Sequence, residues 1–130
     1  MRTTGQHYLI EFFGCASERL DDARQLGQLL RASAELAGAR VVGELVHPFS
    51  PHGVTALVLV EESHLSIHTW PETGYAAVDF YTCGDVRAEK AIQLLAEQLR
   101  AREIVSLEVR RGGPPETTLG VGIRESRTRA

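Results

Sequence analysis

The spacing of hydrophobic residues changes several times along the chain, and each change predicts an element. Segments rich in β-branched and aromatic residues predict strands over residues 7–13, 40–49, 54–60, 75–82 and 104–109. Apolar positions three and four residues apart predict two amphipathic helices between these strands. The first helix is predicted to begin at an N-cap, Ser17, and to end before Gly38, and the second to follow an N-cap at Asp85.

The order of these elements is strand, helix, two or three strands, helix, strand, which favours an α+β fold. We predict a two-layer sandwich, with one largely antiparallel sheet and two helices on one face. The strongly apolar segment 54–60 is expected to be a buried central strand. The other sheet face then needs a cover, which a second copy of the chain would provide. Residues 1–111 are predicted to form a single domain, and residues 112–130 a C-terminal loop and tail.

Composition and charge limit the classes of function. A chain of 130 residues, 43% hydrophobic and 24% charged, fits one globular domain. The net charge of -3 does not favour nucleic acid or an anionic membrane as a partner. No signal-peptide pattern or membrane-length apolar run is evident in the sequence. The two cysteines do not make a disulfide framework, so we expect a cytoplasmic protein with reduced thiols.

Chemically active residue types are concentrated between residues 61 and 83. Ser63 follows two acidic residues, His68 comes five positions later, and Cys83 fifteen positions after that. On a straight strand, an odd offset places Ser63 and His68 on opposite faces, about 16 Å apart. The two side chains therefore meet only if the chain turns sharply or if they belong to different copies. The second possibility predicts a site at a dimer interface.

Two common kinds of site fit this cluster poorly. A Ser-His-acid hydrolase presents its nucleophile on a tight turn, and the G-x-S-x-G pattern is absent. A metal site would draw on the histidines and Cys83. On a strand, however, His64 and His68 lie about 13 Å apart, and the spacing matches no zinc motif. We therefore predict no metal, and we interpret Cys15 as a small buried residue at the end of the first strand.

A long motif of mixed residue types surrounds the cluster. Its segments are Gly5-Gln6-His7 to Cys15, Pro51-His52-Gly53-Val54, Glu62 to Glu72, Gly74 to Asp79 and Thr82-Cys83-Gly84. The motif resembles the signature of the prokaryotic S-adenosylmethionine decarboxylases, and the resemblance covers roughly residues 5–110. The sequence departs from the family pattern at Thr55, where serine is usual, and at His52 and Thr73, where tyrosines are expected.

The resemblance implies a self-processing enzyme whose pyruvoyl cofactor derives from its own chain. Cleavage would fall between Glu62 and Ser63: the Ser63 hydroxyl attacks the Glu62 carbonyl, and His68 removes the α-proton of residue 63. The serine then becomes a pyruvoyl group. That group would form a Schiff base with the substrate amine and take up the electrons released by decarboxylation. Cys83 would return a proton to the substrate.

Substrate-binding residues follow from the same resemblance. Phe49 is expected to stack on the adenine, Glu72 to bind the ribose hydroxyls, and Thr55 to line the pocket beside the processing centre. In the expected homodimer, one protomer supplies Ser63 with the proton donor, and the other supplies the binding residues with His68.

The resemblance thus implies decarboxylation of S-adenosylmethionine, which makes the aminopropyl donor for spermidine. Two alternatives stay open at the level of sequence. One is a pyruvoyl-dependent arginine or ornithine decarboxylase on the same scaffold, since such relatives keep the processing motif. The other is an unprocessed relative that serves as a binding or regulatory partner.

Overall fold

A computed structural model describes residues 3–61, 63–83 and 85–127, so Glu62 and Gly84 lie outside the described residues. The elements in chain order are β1 (Gly5–Phe13), α1 (Ser17–Leu20), α2 (Ala23–Leu36), β2 (Val41–Pro48), β3 (Val54–Val60), β4 (Ser63–Trp70), β5 (Tyr75–Thr82), α3 (Ala88–Leu99), β6 (Glu103–Arg111) and β7 (Val121–Arg127). Within the described part of the chain, no helix is long and apolar enough to cross a membrane.

The strands form one antiparallel sheet in the order β2-β3-β4-β5-β1-β6-β7. Helix α2 packs on β2, β3 and β4, and α3 packs on β1 and on α2. The predicted α+β sandwich with one antiparallel sheet and its helices on one face is therefore confirmed. The opposite side of the sheet, here called the open face, is not covered by any helix in the described ranges.

Strand alternation separates the two faces of the sheet. Along β3, the buried residues that face the helices are Val54, Ala56, Val58 and Val60. Leu57 and Leu59 lie between them on the open face and are 39% and 51% exposed. The prediction of a buried central strand is therefore wrong for one of its two faces, because the described elements cover only the other.

The first predicted helix is in fact two helices, and Ser17 is not its N-cap. The Ser17 hydroxyl instead donates a hydrogen bond to the Pro71 carbonyl at 2.9 Å. The helix breaks because the Leu20 carbonyl accepts a hydrogen bond from the Thr69 hydroxyl of β4, at 2.6 Å. Helix α2 then starts afresh, with the Asp22 carboxylate as its cap.

Two further predictions need correction. Helix α3 begins at Ala88 with Arg87 in the N-cap position, so Asp85 does not cap it. The Arg87 backbone N–H donates to the Ala37 carbonyl at 2.8 Å, and this contact determines where the chain enters the helix. The segment predicted as loop and tail contains β7, which pairs with β6. That pairing satisfies backbone groups that would otherwise be left unpaired along the β6 edge.

Candidate active site

Polar side chains are concentrated on the open face. Four of the five histidines in the chain lie there by strand register: His7, His47, His64 and His68. A groove of about 460 Å³ runs across this face. Among the residues that line it are Leu9, Glu11, Thr55, Leu57, His64, Ser66, His68, Ala77 and Asp79.

The residues singled out from the sequence divide between the two ends of β4. The Ser63 half-site, at the start of β4 and the end of β5, consists of Ser63, Tyr81 and Cys83. The His68 half-site, at the other end, consists of Phe49, Thr55, His68 and Glu72. Strand geometry separates the two ends by about 16 Å within one chain. The expectation that Ser63 and His68 lie on opposite faces of a straight strand is confirmed.

Ser63 lies on the helix-covered face, where it pairs with Val60 and alternates with the buried Leu65. Its hydroxyl is buried and has no hydrogen-bond partner among the described residues. Leaving a buried hydroxyl unpaired costs about 1–3 kcal/mol, so such a group calls for a functional explanation. A serine oxygen without a competing hydrogen bond is suited to nucleophilic attack. Glu62, on the other side of the predicted cleavage point, lies outside the described residues.

Cys83 is a buried free thiol packed against Gly5 and Tyr81. A β-carbon at Gly5 would lie 2.9 Å from Cys83 Sγ and 3.2 Å from Tyr81 Cε1, so only glycine leaves room there. The side-chain interaction with Cys83, and then burial, raise the pKa of Tyr81. The Arg111 guanidinium lies 4.6 Å from the centre of the Tyr81 ring and partly opposes that rise.

The other cysteine, Cys15, has a different environment. It is buried directly after β1, as predicted, and its backbone N–H donates to the Gly74 carbonyl at 2.9 Å. Burial raises the pKa of the Cys15 thiol to about 11. A thiol that stays protonated in an apolar setting is chemically inert, so Cys15 serves packing.

His68 and Thr55 face each other across β3 and β4. Thr55 Oγ1 and His68 Nδ1 form a hydrogen bond of 2.8 Å. The threonine therefore keeps the hydroxyl that a serine would supply, and that hydroxyl orients the imidazole. The sequence departure at this position does not remove the hydrogen bond.

Phe49 and Glu72 lie on the loops that border the His68 half-site. The Phe49 ring is 52% exposed and meets the His47 ring edge-on at 4.7 Å. The Glu72 carboxylate is half-exposed and lies 3.7 Å from His52 Nε2. Both side chains are thus accessible to a ligand.

Two residues outside the predicted site, Ser17 and Asp21, hold these loops in place. Besides Ser17, which binds the Pro71 carbonyl, the Asp21 carboxylate accepts a hydrogen bond from the Gly53 N–H at 2.9 Å. Gly53 has φ +104°, and a β-carbon there would lie 3.0 Å from the Thr69 carbonyl oxygen, so the loop requires glycine. Local sequence pattern does not reveal such contacts, because the partners are more than thirty residues apart.

Asp79 forms the centre of a hydrogen-bonded cluster between the two half-sites. Its carboxylate accepts hydrogen bonds from His7 Nε2 at 2.7 Å, from His64 Nε2 at 3.1 Å, and from the Ser66 hydroxyl. Burial alone would raise the pKa of Asp79, but the hydrogen bonds from Ser66, His7 and His64 outweigh it and lower that pKa. Asp79 is therefore ionised at neutral pH.

Distance alone would allow a metal ion in this cluster, since the ligand atoms of His7, His64 and Asp79 lie within 4.8 Å of one another. Arg111 argues against it. Its Nη1 atom lies 3.3 Å from His7 Nδ1, and a guanidinium can only donate, so Nδ1 accepts and the His7 proton sits on Nε2. A metal on Nε2 would move that proton to Nδ1, against the Arg111 donor. The donor set therefore favours a hydrogen-bonded cluster, and the absence of a metal stays a prediction.

Known sequences of one family match most of the chain. The family model described as "S-adenosylmethionine decarboxylase" matches residues 6–112. The S-adenosylmethionine decarboxylase proenzyme of Moorella thermoacetica is 43% identical over 119 residues, which cover 89% of this chain and 95% of that protein. The proenzyme of the same name from Synechococcus sp. is 49% identical over 98 residues, covering 75% and 77%.

Solved structures agree with the sequence matches. The adenosylmethionine decarboxylase of Aquifex aeolicus superposes with a TM-score of 0.80 at 34% identity, covering 92% of this chain and 100% of that chain. The AdoMetDC-delta26 monomer of Trypanosoma brucei gives a TM-score of 0.60 at 12% identity and covers 79% of this chain and 45% of that one. The second likeness concerns the fold alone.

Proposed function

Because the chain belongs to the S-adenosylmethionine decarboxylase family, we propose that it is a self-processing decarboxylase of S-adenosylmethionine whose two half-sites combine in a homodimer. Its product is decarboxylated S-adenosylmethionine, the aminopropyl donor for spermidine. The observation that carries the proposal is the buried Ser63 hydroxyl, which has no hydrogen-bond partner among the described residues and lies inside the segment that matches the family. The names of the relatives give no support to arginine or ornithine as the substrate.

Self-cleavage begins with Ser63. Its hydroxyl attacks the Glu62 carbonyl, and the peptide nitrogen leaves as an amine while an ester forms. His68 removes the α-proton of residue 63, the ester C–O bond breaks, and the Glu62 carboxylate departs. The dehydroalanine that remains tautomerises to an imine, which takes up water and releases ammonia to become the pyruvoyl group. Processing of this kind agrees with the word proenzyme in the names of the relatives.

The pyruvoyl group supplies the carbonyl that takes up electrons when the substrate loses carbon dioxide. The remaining tasks fall to side chains of the protein. The buried Cys83 thiol returns a proton to the substrate α-carbon. The exposed Phe49 ring stacks on the adenine, and the Glu72 carboxylate accepts hydrogen bonds from the ribose hydroxyls. Thr55 holds His68 beside them.

The open face supports the homodimer. Large apolar residues exposed on it are Leu9, Phe13, Leu45, Leu57, Leu59 and Trp70. An apolar surface of this extent marks an interface rather than a face in contact with water. Because Ser63 and His68 of one chain lie far apart, the complete site uses His68 of the partner subunit. A twofold axis makes two such sites in each dimer.

We place this dimer in the cytoplasm. Both cysteines are free, and free thiols are typical of a reducing compartment. Cys83 in particular has to stay reduced to act as a proton donor.

Denaturing mass spectrometry of the purified protein tests the proposal. We expect two chains divided between residues 62 and 63, with the larger one lighter by one ammonia than a chain that begins with serine. Release of carbon dioxide from S-adenosylmethionine, with arginine and ornithine as the competing substrates, then identifies the reaction. A single intact chain after long incubation would instead favour the unprocessed binding or regulatory relative.

A further inference from the structure

We propose that Ser17 and Asp21 are positioning residues for the nucleoside part of the substrate. They lie at the two ends of α1, and from there they hold the loops that carry Glu72 and Phe49 in a fixed arrangement. The inference rests on the proposed function, in which Phe49 stacks on the adenine and Glu72 binds the ribose hydroxyls. Every contact involved lies within one chain, so each protomer carries the complete arrangement.

The loop between β2 and β3 is held from the Asp21 end of α1. Asp21 Oδ1 accepts a hydrogen bond from the Gly53 N–H at 2.9 Å. The Gly53 carbonyl oxygen accepts a second hydrogen bond, from the Phe49 N–H, at 2.8 Å. The two bonds form a continuous connection from Asp21 to the backbone that carries the Phe49 ring. Because the Phe49 side chain is exposed, its position depends largely on this backbone.

The loop between β4 and β5 is held from the other end of α1. The Ser17 hydroxyl donates a hydrogen bond to the Pro71 carbonyl oxygen at 2.9 Å. That carbonyl belongs to the planar peptide unit that joins Pro71 to Glu72, so the bond fixes the plane from which the Glu72 side chain departs. The Gly74 N–H donates to the same carbonyl at 3.3 Å and closes the turn.

Further contacts fix α1 to the rest of the fold. The buried Thr69 hydroxyl donates to the Leu20 carbonyl at 2.6 Å and accepts from the Val54 N–H at 2.9 Å. Thr69 thereby joins the end of α1 to the strands behind both loops. Just before α1, the Ala16 N–H donates to the Leu99 carbonyl at 2.9 Å, at the end of α3. The two loops are therefore attached to one element that is anchored in the fold.

The spacing of the two loops matters because adenine and ribose are covalently joined. A stacking ring and a ribose-binding carboxylate act together only at the separation that the nucleoside itself has. Holding both in advance reduces the entropy that is lost when the substrate binds. These contacts are remote from the reacting atoms, so they contribute equally to binding of the substrate and of the transition state. Loss of either contact should therefore raise KM and leave kcat nearly unchanged.

Steady-state kinetics of the processed enzyme test the proposal. Asp21→Ala is expected to raise KM for S-adenosylmethionine about tenfold, and Ser17→Ala about threefold, each with kcat within about twofold of wild type. The Ki of methylthioadenosine, which has the adenine and the ribose but no reacting amine, should rise by the same factors. Asp21→Asn keeps an acceptor oxygen and should restore most of the wild-type KM.

Asp22→Ala and Ser33→Ala are the matched controls. Asp22 accepts a hydrogen bond from the Gln25 N–H at 3.0 Å, at the start of α2. Ser33 donates to the Leu29 carbonyl at 2.8 Å, within α2. Each control removes the same kind of side chain, but neither bond reaches a loop of the His68 half-site, so KM should not change. An equal rise of KM in the controls would assign the effect to general loss of stability and would overturn the proposal.

Double variants show through which side chain each contact acts. In a Phe49→Ala background, adding Asp21→Ala should raise KM no further, whereas in a Glu72→Ala background it should keep its full effect. Ser17→Ala should show the reverse pattern. Equal effects in the two backgrounds would overturn the assignment of each contact to its own loop.

Hydrogen exchange of the Gly53 amide separates this proposal from the proposed function. In the uncleaved Ser63→Ala protein, Asp21→Ala should accelerate that exchange about tenfold or more, and Asp22→Ala should leave it unchanged. An unchanged Gly53 exchange rate in Asp21→Ala would overturn the proposal whatever the substrate is. A wild-type enzyme that is inactive on S-adenosylmethionine would instead remove the proposed function, and the nucleoside role of the loops with it.

Discussion

The two half-sites differ in how far each is enclosed by its own chain. At the Ser63 end, the hydroxyl and the Cys83 thiol are buried. At the His68 end, His68 is exposed, Phe49 is 52% exposed and Glu72 is half-exposed. One end is therefore preorganised for chemistry within the monomer, whereas the other presents its binding groups to solvent.

This difference indicates an order of events. Groups that form and break bonds need a defined geometry and a low dielectric, and the fold provides both at the Ser63 end. Groups that bind a substrate need to remain accessible until it arrives. In the proposed site, neither end is complete alone, because strand geometry keeps the two ends about 16 Å apart in one chain. Assembly of two chains would have to come before turnover.

The largest effect, complete loss of self-cleavage, is expected from a change in the Ser63 half-site. Ser63→Ala removes the attacking oxygen, so cleavage between residues 62 and 63 should stop completely, as measured by denaturing mass spectrometry. Ser66→Ala is the matched control, since it removes a hydroxyl three residues along the same strand that binds Asp79 instead. Continued cleavage in Ser63→Ala would refute the assignment of the nucleophile.

Coexpression of two variants that damage opposite half-sites should restore part of the cleavage and decarboxylation that each variant loses alone. His68→Ala alone is expected to remain uncleaved, and Cys83→Ala alone to lose at least a hundredfold in decarboxylation. Coexpressed, the two variants form heterodimers with one intact site. Random pairing then predicts cleavage of the His68→Ala chain and about a quarter of the wild-type activity.

The result of coexpression also distinguishes a shared site from an internal one. If the His68→Ala chain stays intact beside the Cys83→Ala chain, processing does not use the histidine of a partner. A mixture of His68→Ala with Thr55→Ala is the informative control, because both changes affect the same half-site. That mixture should regain less cleavage than the first.

Much of the fold follows from local pattern. The strand at β3 and the Gly38 helix end could be predicted because β-branched content and glycine preference are properties of a few neighbouring residues. The break between α1 and α2 could not, because the Thr69 hydroxyl that binds the Leu20 carbonyl comes from β4. Strand β7 was not predicted. It follows a Gly-Pro-rich loop, and its pairing with β6 is a contact that only the folded sheet provides.

The candidate site shows the same limit. The parity of Ser63 and His68 was predictable, since it depends only on the period of a strand. Cross-strand contacts were not, so the histidines around Asp79 were not predicted as its partners. The positions of His7 and His64 in the sequence did not indicate a shared partner. The two side chains come together only when β1 and β4 pair with the two sides of β5.

A moderate effect, on the free energy of unfolding, is expected for a change at Asp79, which lies between the two half-sites. Asp79→Asn removes the carboxylate that His7, His64 and Ser66 bind, and it should lower the free energy of unfolding by about 1–3 kcal/mol at neutral pH. The folded-state pKa of Asp79 lies below its unfolded value of about 3.9, so the carboxylate contributes stability above that pH. The contribution should disappear as the pH falls through the folded-state pKa.

Urea unfolding at several pH values and one protein concentration measures this dependence. The difference between wild type and Asp79→Asn should be full at pH 7 and should shrink below about pH 4. Asp22→Asn is a matched control on α2, since asparagine caps a helix about as well as aspartate. A constant difference across the whole range would show that the charge of Asp79 is not what stabilises the cluster.

The smallest effect concerns Tyr75, at the His68 end. Its ring stacks between Phe13 and Trp70, with centroid distances of 5.4 Å and 5.1 Å. Burial, and then a hydrogen bond to the Glu11 carboxylate, raise the pKa of Tyr75 to about 12. The folded-state pKa exceeds the unfolded value of about 10, so its stabilising contribution is complete below pH 10 and is lost between about 10 and 12. Ultraviolet titration of the phenolates should lose one step near pH 12 in Tyr75→Phe, and in Glu11→Gln that step should move to lower pH.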